Sequence, residues 1–162
     1  MFSRDKYLPS RSRIAALVGL AALVAVDALA NEPLSPLDNP EVVAALRTVW
    51  FQTINGRRGT EASFRLDGKP SAYRIITSPP TNEFRKQKLE IIPGLTLAVF
   101  HVHTAKGEPE PSPADRSIAD RYKLRMYTIH LQGLYEYDPV TKRTTKLRDG
   151  VKWMNRGIQE VY

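Results

Sequence analysis

Two segments of the chain carry apolar residues at helical spacing. In the first, Asn39-Pro40-Glu41 places a capping side chain, a proline and an acid where a helix begins. The apolar residues that follow recur every three or four positions, at Val42, Val43, Leu46, Val49 and Trp50. The second segment opens with the capping-box pattern Ser112-Pro113-Ala114-Asp115 and continues with an apolar side formed by Ile118, Ala119 and Tyr122. We predict helices over residues 40–54 and 113–122, each with one buried face.

Strand patterns occupy the region between these helices. Residues 61–66 and 72–77 flank Asp67-Gly68, which predicts a hairpin with its turn at that pair. Residues 95–103 form an almost continuous apolar run, which indicates a strand buried on both faces. The Gly- and Pro-containing residues 104–111 predict a loop.

The last third of the chain carries weaker signals. Residues 124–131 and 134–137 predict two more strands around Gln132-Gly133. Residues 140–162 are basic and have Trp153 as their large apolar anchor.

Helices interleaved with strands favour an α/β fold with a mixed central β-sheet flanked by helices. We predict a single layered domain over residues 40–162 that ends in a basic C-terminal tail. Residues 31–39 form a lead-in segment without periodicity.

The first 30 residues have the composition of an export signal. Four basic side chains precede a 13-residue apolar run from Ile14 to Val26, and Ala28-Leu29-Ala30 has the small-x-small form of a cleavage site. The run is shorter than the roughly 20 residues that span a bilayer. We therefore predict a signal peptide over residues 1–30, cleavage after Ala30, and an exported protein, periplasmic or secreted, without a stable membrane span. An uncleaved N-terminal anchor is the alternative.

Composition narrows the chemistry available to the domain. The 162 residues include no Cys, which excludes disulfide frameworks, thiol nucleophiles and thiolate metal sites. The net charge of +7 falls to +5 without residues 1–30, which carry four basic and two acidic side chains. The basic tail does not carry stacking aromatics in the pattern of RNA- or DNA-binding proteins, so no nucleic-acid partner is expected. The chemistry must come from carboxylates, hydroxyls and three His.

Two of the three histidines, His101 and His103, stand one residue apart at the end of the predicted apolar strand. Alternate side chains of a strand point to the same face, about 6.6 Å apart along the strand. Asp115, at the start of the second helix, can supply a third ligand. Two imidazoles and one carboxylate with an open fourth position are typical of a catalytic zinc site. His130 is predicted to pack on a strand rather than to bind the metal.

The segment Phe100-His101-Val102-His103, followed by a loop and Ser112-Pro113-Ala114-Asp115, resembles the His-x-His…Ser-x-x-Asp signature of the JAMM (JAB/MPN) metalloproteases. In that family the catalytic Glu lies at the start of a strand that follows the first helix, and Glu61 has that position here. The segment from Gly133 to Pro139 is similar to part of some bacterial members, a domain of unknown function associated with Rhs-type proteins.

The resemblance implies a JAB/MPN-like fold, with a cytidine-deaminase-like arrangement, and a zinc-dependent peptidase. His101, His103 and Asp115 would hold Zn²⁺. Glu61 would take the proton of the zinc-activated water and pass it to the leaving amine, and Ser112 would donate a hydrogen bond to the oxyanion. The reaction would be hydrolysis of a peptide or isopeptide amide in a peptide or protein substrate, including one at the cell envelope.

Two other interpretations use the same residues. The chain can be a non-catalytic binding module, or an envelope- or toxin-associated one, that keeps the fold. His101-x-His103-x₄-Glu108 also resembles the first cupin motif, in which Glu108 would be a metal ligand, but the second cupin motif is missing. The two predicted helices favour the α/β fold over an all-β barrel.

Overall fold

Six strands form one mixed sheet: β1 (Ser63–Lys69), β2 (Ala72–Ser78), β3 (Thr96–Val102), β4 (Arg125–His130), β5 (Gly133–Asp138) and β6 (Arg143–Asp149). Their order across the sheet is β2-β1-β3-β4-β5-β6. The pairing is antiparallel throughout except between β3 and β4, which are parallel. The computed structural model describes residues 35–57, 59–78, 80 and 90–155.

Two helices, α1 (Pro40–Gln52) and α2 (Pro113–Tyr122), accompany the sheet, with short 3-10 turns at Pro36–Asp38 and Lys152–Asn155. α2 lies in the connection between β3 and β4, because a parallel pair needs a crossover rather than a tight turn. The predicted α/β class with a mixed sheet and flanking helices is confirmed. No helix within the described ranges is long and apolar enough to span a membrane. The predicted signal peptide and the end of the basic tail lie outside those ranges.

The two helices pack on opposite faces of the sheet. α1 buries four side chains against the first face: Val42, Leu46, Val49 and Trp50. On that face the rings of Phe64, Phe100 and Tyr127 stack across three adjacent strands, with centroid separations of 4.6 and 4.2 Å. α2 buries Ala119 beside Val99 on the second face. The alternation of β3 therefore sends its even-numbered side chains to α1 and its odd-numbered ones to α2.

Phe100 is the middle ring of this stack and is fully buried. Phe100→Ala removes the ring between two others and leaves a cavity that the rigid strands cannot close. We expect the free energy of unfolding to fall by about 3–5 kcal/mol, measured by urea denaturation. Phe51→Ala on α1 is the matched control, because Phe51 is 56% exposed and its loss should change stability by only about 0.5 kcal/mol. Equal effects of the two substitutions would contradict this description of the core.

The turn of the β1–β2 hairpin lies at Pro70-Ser71, so the prediction of a turn at Asp67-Gly68 is wrong. The pairing of β1 with β2 continues through Lys69. Asp67 stays in the strand because its buried carboxylate accepts hydrogen bonds from Arg65 Nε at 2.9 Å and from Thr96 Oγ1 at 2.8 Å. Position 68 requires glycine because it has no side chain: a Cβ there would lie 2.5 Å from a carbonyl oxygen of β2.

A sixth strand lies inside the segment predicted as a basic tail. β6 pairs antiparallel with β5 and forms an edge of the sheet. Leu147 is its apolar side chain and packs on the α1-side core together with the predicted anchor Trp153. The other side chains of β6 are polar or charged, as is usual for an edge strand facing water. The strand therefore forms mainly through backbone pairing with β5. Its sequence shows no alternation of apolar and polar residues that would predict a strand.

Candidate metal centre

His101 and His103 lie at the end of β3 on the face that carries α2. His101 is within the strand and stands opposite Ser63 of β1 and Thr128 of β4. His103 is one residue beyond the strand but continues the ladder, because its N–H donates to the Ile129 carbonyl at 2.9 Å. Both imidazoles are buried and their ring centroids are 4.8 Å apart. The predicted projection of the two side chains to one face is confirmed.

The end of α1 supports the backbone that follows His103. The helix finishes at Gln52, and Gly56 then takes a left-handed conformation with φ of +73°. Its carbonyl accepts a hydrogen bond from the Ala105 N–H at 2.8 Å. A Cβ at Gly56 would lie 3.1 Å from the His103 carbonyl, so glycine permits this close approach.

Asp115 reaches the histidines from the first turn of α2. Its N–H donates to Ser112 Oγ at 3.2 Å, and the Ser112 N–H donates to Asp115 Oδ2 at 2.8 Å. The predicted capping box is therefore confirmed. The same Oδ2 also accepts the Ser112 hydroxyl proton at 2.6 Å. Capping thus fixes the carboxylate in the orientation that faces β3.

Three donor atoms from these residues converge on one point. The two imidazole Nε2 atoms are 2.9 Å apart, and each lies 3.5 Å from Asp115 Oδ2. Ligands of a tetrahedral zinc ion, with bonds of about 2.0–2.1 Å, lie about 3.3 Å from one another. The three separations bracket that value, so the buried group of His101, His103 and Asp115 can hold a metal ion.

A backbone carbonyl sets the tautomer of His103. Its Nδ1 lies 2.6 Å from the Glu108 carbonyl oxygen. A carbonyl only accepts hydrogen bonds, so Nδ1 of His103 carries the proton and donates it. In the neutral ring Nε2 then presents a lone pair to the convergence point, as a metal-ligating histidine requires. Glu108 thus acts here through its main chain.

The carboxylate and the imidazoles are coupled electrostatically. Burial alone would lower the pKa of His101, but the charge and hydrogen bonding of Asp115, with a smaller effect of Glu61, raise it above its ordinary value. Burial alone would raise the pKa of Asp115, but the charge of His101, the polar contacts with both imidazoles and the hydrogen bond from Ser112 hold it well below its usual range. A proton and a metal cation therefore compete for the space between these groups.

Glu61 faces the same cavity, which has a volume of about 990 Å³ and is lined also by the three donor residues and Ser112. Glu61 precedes β1 by two positions, and Ala62 beside it points into the α1-side core. The alternation of the extended chain consequently turns Glu61 toward the α2 side. The structure brings all five predicted site residues to one cavity. The group that can donate ligand atoms to a metal consists of His101, His103 and Asp115, and Glu61 and Ser112 lie outside this donor group.

His130 lies in β4 and takes no part in the donor group. Its Nδ1 accepts a hydrogen bond from the Gln132 N–H at 3.2 Å. The cupin interpretation required Glu108 as a ligand, but the described donor group contains Asp115 instead, and the Glu108 side chain is exposed. A single mixed sheet with helices on both faces also differs from the double-sheet jelly roll of cupins.

Two contacts around the site had no sequence signal. One is the Glu108 carbonyl on His103, and the other is the hydroxyl of Thr128, which donates to the Pro109 carbonyl at 2.7 Å. A carbonyl is present at every residue, so its role depends on loop conformation alone. The role of Thr128 cannot be recognised from the sequence, because it depends on the β3–β4 register that places Thr128 beside His101.

No family model, no curated protein and no solved structure matches this chain.

Proposed function

We propose that this protein is a zinc-dependent hydrolase of peptide or isopeptide amide bonds with a JAMM-like site. The observation that carries the proposal is the convergence of two imidazole nitrogens and one carboxylate oxygen, separated by 2.9–3.5 Å, beside a further carboxylate in the same cavity. The donor set of two nitrogens and one oxygen suits zinc and leaves a fourth position for water.

The order of elements supports a JAB/MPN-like arrangement. α1 is followed by Glu61, the β1–β2 hairpin, β3 with its two histidines, a loop, and the capping box of α2. The motif residues of the JAMM family, which this sequence resembles, occur in the same order. We propose the family relationship on these motif residues and on this order.

Each site residue has a defined task in the proposed reaction. His101, His103 and Asp115 hold the metal, and bound Zn²⁺ would supply a water with its pKa lowered to about 7. Glu61 accepts a proton from the attacking water and returns it to the leaving amine nitrogen, so one carboxylate serves both steps. Ser112 donates to the oxyanion once its hydroxyl turns from Asp115, to which it donates in this structure.

The substrate is a peptide or protein outside the cytoplasm, because we propose that residues 1–30 direct export. The cavity of about 990 Å³ is large enough for several residues of such a chain. Its walls mix apolar side chains, Ile91, Ile118 and Tyr122, with Glu90, Glu108 and Arg121.

A second candidate is a binding module without catalysis. One observation favours it: the histidine pair, Asp115 and Ser112 form a hydrogen-bonded group that also caps α2. Such a group stabilises the fold whether or not the protein turns over a substrate. The two candidates share the metal ligands and differ in the role of Glu61.

Metal removal tests the proposed function. The purified protein, stripped with a chelator, should lose amide-hydrolase activity toward a fluorogenic peptide library and recover it with one equivalent of Zn²⁺. Saturating zinc should also stabilise the fold, by about 3 kcal/mol at a hundredfold excess over the dissociation constant. Magnesium is the matched control, because two imidazoles suit a softer ion. Activity that persists without metal would overturn the proposal.

A further inference from the structure

We infer that Thr128 is a positioning residue for the metal centre: through the Pro109 carbonyl it holds the loop whose Glu108 carbonyl orients His103. The inference rests on the proposed metal site and not on the proposed peptidase activity.

Thr128 is placed for this task by strand register. It lies in β4 directly beside His101 of β3, and its side chain is fully buried on the α2 side of the sheet. Its Oγ1 donates to the Pro109 carbonyl at 2.7 Å. A buried threonine hydroxyl needs such a partner, since an unpaired one would lose its hydration without gaining a hydrogen bond in return.

The Pro109 carbonyl that Thr128 binds is one residue away from the Glu108 carbonyl that binds His103. The Glu108 carbonyl, which accepts from His103 Nδ1 at 2.6 Å, belongs to the peptide group that precedes Pro109. The proline ring fixes φ between the two carbonyls, so holding the second limits the movement of the first. Outer-shell partners of this kind set ring orientation and tautomer in metal-ligating histidines.

Other hydrogen bonds among the described residues hold the first half of the loop. The Ala105 N–H donates to the Gly56 carbonyl and the Gly107 N–H donates to the Thr104 carbonyl, each at 2.8 Å. Both are main-chain bonds that side-chain substitution leaves in place. Thr128 Oγ1 holds the second half of the loop, which carries the contact to His103. This hydrogen bond comes from a side chain, so a substitution at Thr128 can remove it.

The test compares three proteins: wild type, Thr128→Val and Thr128→Ser. Valine keeps the shape and removes the donor, whereas serine keeps the donor and removes a methyl group. We expect Thr128→Val to weaken zinc binding about 10- to 100-fold, measured by competition with a chromophoric chelator. Thr128→Ser should stay within about threefold of wild type, because it keeps the hydroxyl that acts through the loop. The visible spectrum of the Co²⁺-substituted protein should shift in the valine variant alone.

Thermal denaturation of the metal-free proteins separates positioning from general destabilisation. If valine prevents folding, Thr128→Ala compared with Thr128→Ser gives the same test of the hydroxyl. Equal zinc affinity and equal Co²⁺ spectra in wild type and Thr128→Val would overturn the inference while leaving the metal site intact. Equal losses in the valine and serine variants would overturn it too, because they would assign the effect to packing. A wild-type protein that binds no zinc would overturn the proposed function as well.

Discussion

Glu61→Gln should lower the turnover number for amide hydrolysis by about 10²- to 10⁴-fold, while zinc remains bound with wild-type stoichiometry. Glutamine is nearly isosteric with glutamate but cannot accept the proton of the attacking water. Glu61 lines the cavity without belonging to the donor group, so its replacement leaves all three candidate metal-binding side chains in place. The measurement is the rate of peptide hydrolysis together with the zinc content of the same preparation.

Glu110→Gln is the matched control for this substitution. Glu110 is an exposed carboxylate of the 104–111 loop and is not among the residues that line the cavity. The Glu110→Gln variant should retain the wild-type turnover number. If Glu61→Gln hydrolysed substrate as fast as wild type with zinc bound, Glu61 would not be the general base. A zinc-loaded wild-type protein without hydrolase activity would favour the binding-module alternative.

His103→Ala should weaken zinc binding by about 100-fold or more, since loss of an outer-shell partner alone costs 10- to 100-fold. The substitution removes one of the three donor atoms and also the ring that contacts the Glu108 carbonyl. The remaining pair, His101 and Asp115, cannot enclose the ion. Competition with a chromophoric chelator gives the dissociation constants.

His130→Gln is the control for the loss of a buried histidine. His130 is 3% exposed and His103 9%, so both substitutions change an imidazole of similar burial. His130 lies outside the donor group, and zinc affinity should stay at the wild-type value. Similar affinities for wild type and His103→Ala would remove His103 from the site.

Local sequence signals predicted the parts of the site that depend on neighbouring residues. The capping box from Ser112 to Asp115 is a four-residue pattern, and the structure forms it as the sequence indicates. The common face of His101 and His103 follows from strand alternation alone. Both features are set within a few residues, so one sequence was sufficient to predict them.

Features that depend on distant partners could not be predicted. The Asp67 carboxylate that stays in the strand accepts one of its hydrogen bonds from Thr96, which is 29 residues away in sequence. β6 forms because β5 offers an edge, although the side chains of β6 are mostly polar. The contact from Thr128 to the Pro109 carbonyl spans 19 residues and depends on the parallel register of β3 and β4. Such pairings come from the topology, which a single sequence does not display.

Anomalous diffraction at the zinc absorption edge tests most directly whether one zinc ion binds between β3 and α2, as we propose. Crystals of the protein with one equivalent of zinc should show a single strong peak about 2.0–2.2 Å from His101 Nε2, His103 Nε2 and an Asp115 carboxylate oxygen. Absence of a peak there, or a peak at other side chains, would contradict the proposed metal centre.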